Sequence, residues 1–570
     1  MSRLSRFLPF LRWLRVYDRR SLTSDLVAAV IVTVMLIPQS LAYALLAGLP
    51  PETGLYASIL PLAAYALFGT SMTMAVGPVA VISLMTAAAA GKVAATGAMG
   101  ALEAAILLAW ISGSFLLLLG VLRVGFVANF LSHPVVAGFI TASGIIIALG
   151  QLKHLLGVEA SGDTLPELLD TLWQGMADFN AATLAIGGGS LLFLLWARSG
   201  LKQLLLHSGL SSYTANLLVR IAPVFTVLVT VLLAWQLRLD EQGVALMGAI
   251  PSGLPKLQVP DTDPAVIRQL LLPAIMLSVI GYVESVSVGK TLAARRRQKI
   301  DPDQELIGLG AANIASGLSG GFPVTGGFSR SVVNFDAGAQ TPAASFFTAI
   351  GIGVATLLLT GFLAWLPNAT LAATIIIAVL GLVDFSVLRR TWDYSLSDFI
   401  AVATTMGVTL LFGVEIGVTC GVGASLMLHL YKTSRPHIAE VGEVPGTEHF
   451  RNIKRHQTIT HAAILSLRID ERLYFANASY IEDEILAALA ERPHLKHVIL
   501  MCTAVNEIDI SALEVLEGLS ERLRETGIGF HLSEVKGPVM DKLKNTHFLE
   551  RLNGKVFLSQ HQAVQALLAD

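Results

Sequence analysis

Charged residues are scarce in this chain, and cysteine is almost absent. Only 14% of the 570 residues are charged, whereas soluble domains average about 25%. The two cysteines, Cys420 and Cys502, are too few for a disulfide framework or a cysteine-based metal site. Basic residues (39) and acidic residues (41) nearly balance, so the composition gives no indication of nucleic-acid binding.

The sequence also lacks common catalytic and nucleotide-binding motifs. It contains no Walker loop, no zinc-ligand spacing and no nucleophile elbow. The glycine run at 187–189 lies in an apolar segment, where it favours close helix packing over phosphate binding. We therefore expect neither an enzyme nor a bound metal or cofactor.

The scarcity of charge is confined to one part of the chain. Residues 1–435 hold 47 of the 80 charged residues, and residues 436–570 hold the other 33. This distribution predicts a transmembrane domain at 21–435 and a soluble domain at 436–570. Residues 1–20 carry six arginines among apolar side chains, which predicts an amphipathic segment on the cytoplasmic membrane face.

Apolar stretches between residues 25 and 431 divide into fourteen segments, of which several are too short to cross a membrane alone. Basic residues follow the even-numbered segments, at positions 123, 198, 202, 295–297, 389–390, 432 and 435. Acidic residues are concentrated in loops after odd-numbered segments. This positive-inside pattern predicts a multi-pass protein of the plasma (inner) membrane with both termini in the cytoplasm.

The fourteen segments form two groups of seven with opposite orientation, and the third segment of each group is broken by glycine and proline. These broken segments lie at 74–80 and 321–330. Matching broken segments in two halves indicate a transporter binding site. Half-helices that begin at mid-membrane direct unpaired N–H groups and positive dipole ends to one place, which favours an anion.

Glu284 and Arg330 are the charged residues most suited to such a site. A carboxyl group in an apolar environment holds a proton more readily than one in water, so Glu284 suits proton coupling. The alternative for Glu284 is a helix-packing role. A buried guanidinium stays charged and binds oxyanions in a fork. The alternative for Arg330 is that it marks the cytoplasmic end of its segment.

Several uncharged or edge residues are further candidates. Ser329 could cap the second half-helix and also face a ligand. Gln39 and Tyr43 share a helix face beside Pro38, which we expect to break that helix; ordinary interhelical bonding is the alternative for both. Glu415 lies near a segment end, where a structural role is favoured.

The tail changes to alternating strands and helices, which predicts a small α/β sheet. Expected strands lie at 463–469, 472–478, 497–504, 530–535 and 556–559. Asp509 or Ser511 can cap the helix that begins near 511. Ser511 is alternatively a regulatory phosphorylation site, where the phosphate would meet a helix N-terminus.

A series of motifs occurs in an order typical of one family. They are Ile37-Pro38-Gln39-Ser40-Leu41-Ala42-Tyr43, Pro51-Glu52-Thr53-Gly54-Leu55-Tyr56, Val76-Gly77-Pro78-Val79-Ala80, Gly289-Lys290-Thr291, Gln304-Glu305-Leu306-Ile307-Gly308 and Phe328-Ser329-Arg330-Ser331. From about residue 15 to its end, the chain resembles the SulP sulfate permease family, the anion transporters related to prestin and pendrin. The tail resembles the STAS domain that family members carry.

This resemblance implies an α-helical polytopic fold, a 7+7 inverted repeat with core and gate domains, and an elevator-type mechanism. It also implies a homodimer and a cytoplasmic partner for the STAS domain. The implied anion site uses Gln39, Tyr43, Val79, Ala80, Phe328, Ser329 and Arg330. Val79 and Ala80 could contribute only backbone N–H groups.

The resemblance also bears on coupling and regulation. Proton-coupled members carry a glutamate where Glu284 stands. Sodium-coupled bicarbonate members carry an aspartate at this position and a threonine four residues later. This chain has Val288 in place of that threonine, which argues against sodium coupling. Ser511 matches the phosphorylatable serine of bacterial STAS relatives. Its neighbours Ile510 and Ala512 depart from the usual small polar residue and glycine.

The leading hypothesis is a proton-coupled transporter for an inorganic oxyanion, with sulfate first. Within transport, the alternatives are a bicarbonate or dicarboxylate symporter, an anion exchanger and an uncoupled channel. Outside transport, the alternative is an anion-gated membrane sensor that signals through the STAS domain. The expected partners are the oxyanion, membrane lipid and a second copy of the chain.

Overall fold

The computed structural model describes residues 8–126 and 132–569. The chain divides into two compact units, Met1–Ser425 and Leu426–Asp570. Residues 1–7 of the expected amphipathic segment lie outside the described residues, and the following stretch forms one short helix. The domain bounds expected at 1–20, 21–435 and 436–570 stay predictions.

The first unit is built from helices, with two strands of two residues each. Its elements in chain order are α1 Phe10–Leu14, α2 Arg19–Leu46, α3 Pro51–Tyr56, α4 Leu60–Phe68, β1 Val76–Gly77, α5 Ala80–Ala95, α6 Ala101–Val121, α7 His133–Gly150, α8 Leu152–Leu156, α9 Leu165–Gly175, α10 Ala181–Trp196, α11 Lys202–His207, α12 Ser212–Leu237, α13 Pro264–Arg295, α14 Pro302–Leu318, β2 Thr325–Gly326, α15 Phe328–Asp336, α16 Ala343–Leu358, α17 Thr360–Leu363, α18 Asn368–Leu380, α19 Ser386–Tyr394, α20 Leu396–Phe412 and α21 Val414–Ser434.

Six helices among the described residues are long and apolar enough to cross a membrane, and further apolar helices of 10–17 residues accompany them. The count of fourteen spans stays a prediction. One expectation about the first span is wrong, because α2 continues through Pro38 instead of breaking there. The second of the fourteen apolar segments, which we placed near residues 54–69, is interrupted instead, between α3 and α4.

Small residues bring the helices that support the broken segments into close contact. A Cβ atom on Gly113 of α6 would lie 2.8 Å from the carbonyl oxygen of Gly310 of α14. On Gly310, a Cβ atom would lie 2.8 Å from the backbone nitrogen of Leu117. The two helices can approach this closely only because these positions lack side chains. Asp301 caps α14 by accepting from the backbone N–H of Asp303 at 3.1 Å.

The second unit contains a six-stranded sheet. Its elements after α21 are β3 Ile438–Glu443, β4 Phe450–Asn452, β5 Ile464–Ile469, α22 Ala478–Ala490, β6 His497–Met501, α23 Ile510–Glu525, β7 Gly529–Ser533, α24 Gly537–Lys544, α25 Phe548–Arg551, β8 Val556–Phe557 and α26 Gln560–Ala569. The strand order is β4-β3-β5-β6-β7-β8, parallel from β5 to β8 and antiparallel at β3 and β4.

Two parts of this sheet differ from the sequence prediction. Strands β3 and β4 were not predicted from the sequence. The prediction of a strand at 472–478 is wrong. There the chain turns, because the Asn477 side chain accepts from the N–H of Tyr474 at 3.0 Å and donates to the carbonyl of Arg472 at 2.8 Å. Only an isolated bridge between Leu473 and Ile508 remains of sheet pairing in this stretch.

Candidate functional site

Strands β1 and β2 bring the two broken segments of the first unit together. They pair antiparallel, with Val76 opposite Gly326 and Gly77 opposite Thr325. All four residues are buried. Because each strand leads directly into a short helix, the pairing fixes the beginnings of α5 and α15 relative to each other.

Both helices begin without a capping side chain. The N-cap residues are Val79 for α5 and Gly327 for α15, and neither makes a side-chain cap bond. The first internal hydrogen bonds are donated by Ser83 to Val79 and by Ser331 to Gly327, at 2.9 and 3.1 Å. The N–H groups of each preceding turn therefore have no acceptor within their own helix. Two positive helix ends carrying such groups favour an anion.

Ser329 is not the cap that the sequence suggested. Helix α15 begins at Phe328, so Ser329 lies in its first turn and Gly327 takes the N-cap position. Ser329 is exposed, and Phe328 is 48% exposed. Val79 and Ala80, at the start of α5, are 8% and 2% exposed. The exposed pair on α15 is thus accessible from outside the protein, whereas the α5 pair offers backbone groups.

Arg330 is a buried cation with an open donor. Its side chain is 3% exposed, and within the described part of the chain its Nη1 atom has no hydrogen-bond partner. The guanidinium lies against the backbone of Gly77 and Gly327, where Cβ atoms would overlap it. Arg330 lies close enough to Glu284 for their opposite charges to attract, yet no ion pair within 4.0 Å joins the two side chains among the described residues. An unneutralised buried guanidinium is suited to an incoming oxyanion.

Glu284 is half-buried on α13 and makes no hydrogen bond among the described residues. Its neighbours on the helix fix its position. Thr325 of β2 donates to the carbonyl of Gly281 at 2.6 Å and contacts the Ser285 hydroxyl at 2.7 Å. The N–H of Gly326 donates to the same hydroxyl at 2.9 Å. Hydrogen bonds therefore join α13 to β2 at positions before and after Glu284, whereas the Glu284 carboxyl group accepts none among the described residues.

Glu305 shows what a structural carboxylate looks like in this unit. It is fully buried and accepts from the Tyr65 hydroxyl at 2.7 Å. The backbone N–H groups of Thr70 and Ser71 donate to it at 2.8 and 3.1 Å, and the Thr70 hydroxyl donates as well. The carboxylate oxygens of Glu305 thus accept hydrogen bonds that hold neighbouring segments in place, whereas those of Glu284 accept none among the described residues.

Helix α2 supplies the remaining candidates. Tyr43 is 8% exposed, and its hydroxyl lies within electrostatic range of Arg330 and Glu284, which places it beside the two charged candidates. Gln39 lies one turn earlier, is half-buried and has no hydrogen bond among the described residues. Helix α2 packs against both α5 and α15, and a side-chain amide without a hydrogen-bond partner in the described part of the chain can serve as an uncharged ligand donor.

Sequence reasoning missed the residues that hold the broken segments in place. The Asn313 side chain on α14 accepts from the N–H of Val324 and donates to its carbonyl, both at 2.9 Å. Ser331 accepts from the N–H of Ala75 at 3.1 Å. An isolated amide in an otherwise apolar segment is the signal that could have identified Asn313.

The far end of α15 is also fixed. Arg296 donates to the carbonyls of Ala339 and Phe335 at 2.5 and 3.3 Å, in and just beyond the last turn of α15. Buried Asp25 accepts from the N–H of Thr341 at 3.1 Å and from its hydroxyl at 2.6 Å. Arg296, one of the three arginines at 295–297, therefore helps to hold the end of α15 in position.

The remaining candidates are Glu415 and, in the second unit, Asp509 and Ser511. Glu415 forms an ion pair of 2.7 Å with exposed Lys92, which agrees with a structural role. In the second unit, Asp509 is the N-cap of α23 and accepts from the N–H of Ala512 at 2.8 Å. Ser511 is half-buried in the first turn and does not cap the helix.

The chain matches known sequences over nearly its whole length. The family model described as the sulfate permease family matches residues 22–405, and the STAS domain model matches residues 454–563. "Sulfate transporter 4.1, chloroplastic" of Arabidopsis thaliana is 36% identical, over 98% of this chain and 82% of the relative. "High affinity sulfate transporter 2" of Stylosanthes hamata is 30% identical, over 98% of this chain and 85% of the relative.

Solved structures share the fold. The murine Slc26a9 anion transporter in the inward-facing state superposes with a TM-score of 0.90 at 22% identity, over 100% of this chain and 95% of that one. The transmembrane domain of the cyanobacterial bicarbonate transporter BicA superposes with a TM-score of 0.60 at 21% identity, over 72% of this chain and 98% of that one. The expected helical membrane fold with a C-terminal STAS domain is confirmed, and the chain belongs to the sulfate permease family.

Proposed function

We propose that this protein transports an inorganic oxyanion, sulfate first, together with protons. The observation that carries the proposal is the buried Arg330, whose Nη1 has no hydrogen-bond partner among residues 8–126 and 132–569. It lies in the first turn of α15, which follows the strand that pairs with the strand before α5. The relatives named as sulfate transporters are 30–36% identical over nearly the whole chain, which supports sulfate as the first substrate to test.

The anion would bind between the starts of α5 and α15. Backbone N–H groups of Val79 and Ala80 would approach it from one side. Ser329 and the Arg330 guanidinium would approach from the other, since a guanidinium matches the geometry of an oxyanion. Exposed Phe328 would border the entrance, and Gln39 and Tyr43 of α2 would add uncharged donors.

Glu284 would carry the coupled proton. A sulfate dianion beside ionised Glu284 and one arginine leaves an excess of negative charge in a poorly hydrated site. Protonation of Glu284 removes one negative charge, so loading of the anion and of the proton favour each other. The absence of fixed hydrogen bonds to Glu284 supports this role, because such bonds would hold the carboxyl group in one protonation state.

The broader proposal follows the family. We propose an elevator-type movement of the site across a plasma (inner) membrane, a homodimer with cytoplasmic termini, and a STAS domain that contacts a cytoplasmic protein. The positive-inside pattern supports the orientation. Because one relative is named chloroplastic, fractionation of the native membrane is the direct measurement of location.

Labelled sulfate uptake into proteoliposomes, with and without an inward proton gradient, tests the proposal. We expect accumulation that depends on the gradient and is absent from protein-free vesicles and from Arg330→Ala. Sulfate that stays out under both conditions would contradict the substrate assignment, and bicarbonate and dicarboxylates would then be tested in the same vesicles. Equal uptake with and without the gradient would contradict proton coupling alone.

A further inference from the structure

The second unit contains a basic cleft that the transport proposal does not use. Its volume is about 290 Å³, and one set of residues lines it: His437, Arg451, Asn452, Arg455, His456, Arg468 and Asp470. Three arginines, two histidines and an amide thus surround the cleft together with a single carboxylate. This basic cleft is distinct from the site in the first unit, because none of its residues belongs to that unit.

The single carboxylate of the basic cleft is already neutralised. Arg468 holds Asp470 in a fork, with Nε–Oδ1 and Nη2–Oδ2 distances of 2.6 and 3.0 Å. His437 Nδ1 lies 2.9 Å from the same carboxylate. Partial burial would raise the pKa of Asp470, but hydrogen bonds from Arg468 and His437 outweigh it and lower that pKa. Asp470 therefore stays ionised and positions Arg468.

Arg451 and Arg455 are left without a compensating charge. Both are exposed, and neither takes part in an ion pair among the described residues. A carboxylate that could approach them, Asp470, is bound by Arg468. Two guanidinium groups over one cleft repel each other unless an anion lies between them.

The backbone gives the basic cleft a defined shape. Strand β3 pairs Ala439 with Arg468 of β5 and Val441 with Asn452 of β4, so these residues share one face of the sheet. The carbonyl of Asn452 accepts from the N–H of His456 at 3.1 Å, which folds the following turn back beside the strand. Arg455 and His456 of this turn line the cleft together with Arg451.

The cleft lies at the end of this face that helix α26 leaves open. Gln560 of α26 donates to the Ser466 hydroxyl at 2.8 Å, two residues before Arg468 on β5. Ala563 and Val564 of the same helix pack in the apolar cluster that contains Ala439. Helix α26 thus covers the face up to the point where the arginines begin, and none of its residues lines the cleft.

We infer that the basic cleft binds a small soluble anion with more than one phosphate group. Paired guanidinium groups bind phosphate oxygens in forks, and a ligand with several negative charges matches two uncompensated arginines. A volume of about 290 Å³ lies at the lower limit of ligand pockets, which fits a ligand of the size of pyrophosphate. The inference does not rest on the transport proposal.

Titration of full-length protein with inorganic pyrophosphate, followed by calorimetry, tests the inference. All variants are made in an Arg330→Ala background, so that the site of the first unit does not contribute. We expect Arg451→Ala/Arg455→Ala to weaken binding at least tenfold. Lys454→Ala, which removes an exposed cation from the same turn but outside the cleft, is expected to change affinity less than twofold.

Three outcomes would overturn the inference. They are no pyrophosphate binding in the Arg330→Ala background, equal losses in the double variant and in Lys454→Ala, and binding only to vesicles that contain phosphatidylinositol bisphosphate. The last outcome would identify a lipid headgroup in place of a soluble ligand. Thermal unfolding checks that the variants fold, and single Arg451→Gln and Arg455→Gln variants replace the double variant if it does not.

Discussion

The guanidinium of Arg330 occupies the space that a side chain on Gly77 would need. The arginine comes from the second half of the membrane unit and the glycine from the first, on strand β1 opposite Thr325. The position of the buried cation is thus set by the absence of a Cβ atom on the other half. This relationship can be tested separately from the charge of Arg330.

Gly77→Ala should displace Arg330 and weaken sulfate binding by roughly tenfold, because the added methyl group overlaps Nη1 and buried overpacking costs about 1–3 kcal/mol. Calorimetric titration with sulfate measures the affinity. Gly91→Ala on α5 is the matched control, since a Cβ atom there meets nothing within 4 Å. Equal affinities of the two variants would contradict the steric relationship.

Arg330→Ala should remove measurable sulfate binding, and Arg330→Lys should restore it only in part, because an ammonium lacks the planar fork. The same titration compares them with Lys92→Ala, which removes a 63% exposed cation elsewhere. We expect Lys92→Ala to bind as the unchanged protein does. Full affinity in Arg330→Ala would move the anion site elsewhere.

Glu284→Gln should leave anion exchange measurable but remove its acceleration by an inward proton gradient, because an amide cannot take up the proton. Glu305→Gln should instead lower the unfolding temperature. There an NH₂ group would face the donors of Thr70 and Ser71, at a cost of about 1–3 kcal/mol. Acceleration that persists in Glu284→Gln would contradict its coupling role.

Asn313→Leu should lower both the unfolding temperature and the sulfate affinity. It removes both hydrogen bonds to Val324 and leaves buried backbone groups unsatisfied, at about 1–3 kcal/mol each. Asn313→Asp keeps an acceptor for the Val324 N–H but loses the donor, so a smaller loss is expected. A fall in stability with unchanged affinity would show that Asn313 supports the fold and does not position the site.

Asp509→Ala should destabilise the second unit by about 1 kcal/mol through loss of the N-cap of α23. Ser511→Ala should have a smaller effect, since Ser511 does not cap this helix. Thermal unfolding of the full-length variants measures both. A larger loss for Ser511→Ala would reverse the assignment of the cap.

The broken segments were predictable because glycine and proline interrupt helices in a way that sequence shows directly. Their pairing register was not, since strands of two residues have no side-chain period and Val76 lies about 250 residues from Gly326. The N-cap of α15 was misassigned for a related reason. Serine is a common cap, but extended Gly327 takes the N-cap position, two residues before Ser329.

Other differences have local causes. Pro38 was expected to end a helix, yet packing around α2 keeps the helix continuous through it. In the second unit, β3 carries Glu440 and Glu443 at partly buried positions, so that the sequence of the hairpin with β4 lacks a clear apolar alternation. The proposed role of Arg330 could be anticipated from its charge in an apolar context, whereas its contact with Gly77 required the fold.

The pairing of β1 with β2 has a consequence for synthesis of the protein. When the ribosome has made Gly77, the partner strand at Thr325 is still about 250 residues away. An unpaired backbone group in hydrocarbon costs several kcal/mol, so β1 must stay hydrated or be sheltered during that interval. Membrane insertion of the first half can therefore precede assembly of the site, which forms only after both halves have been translated.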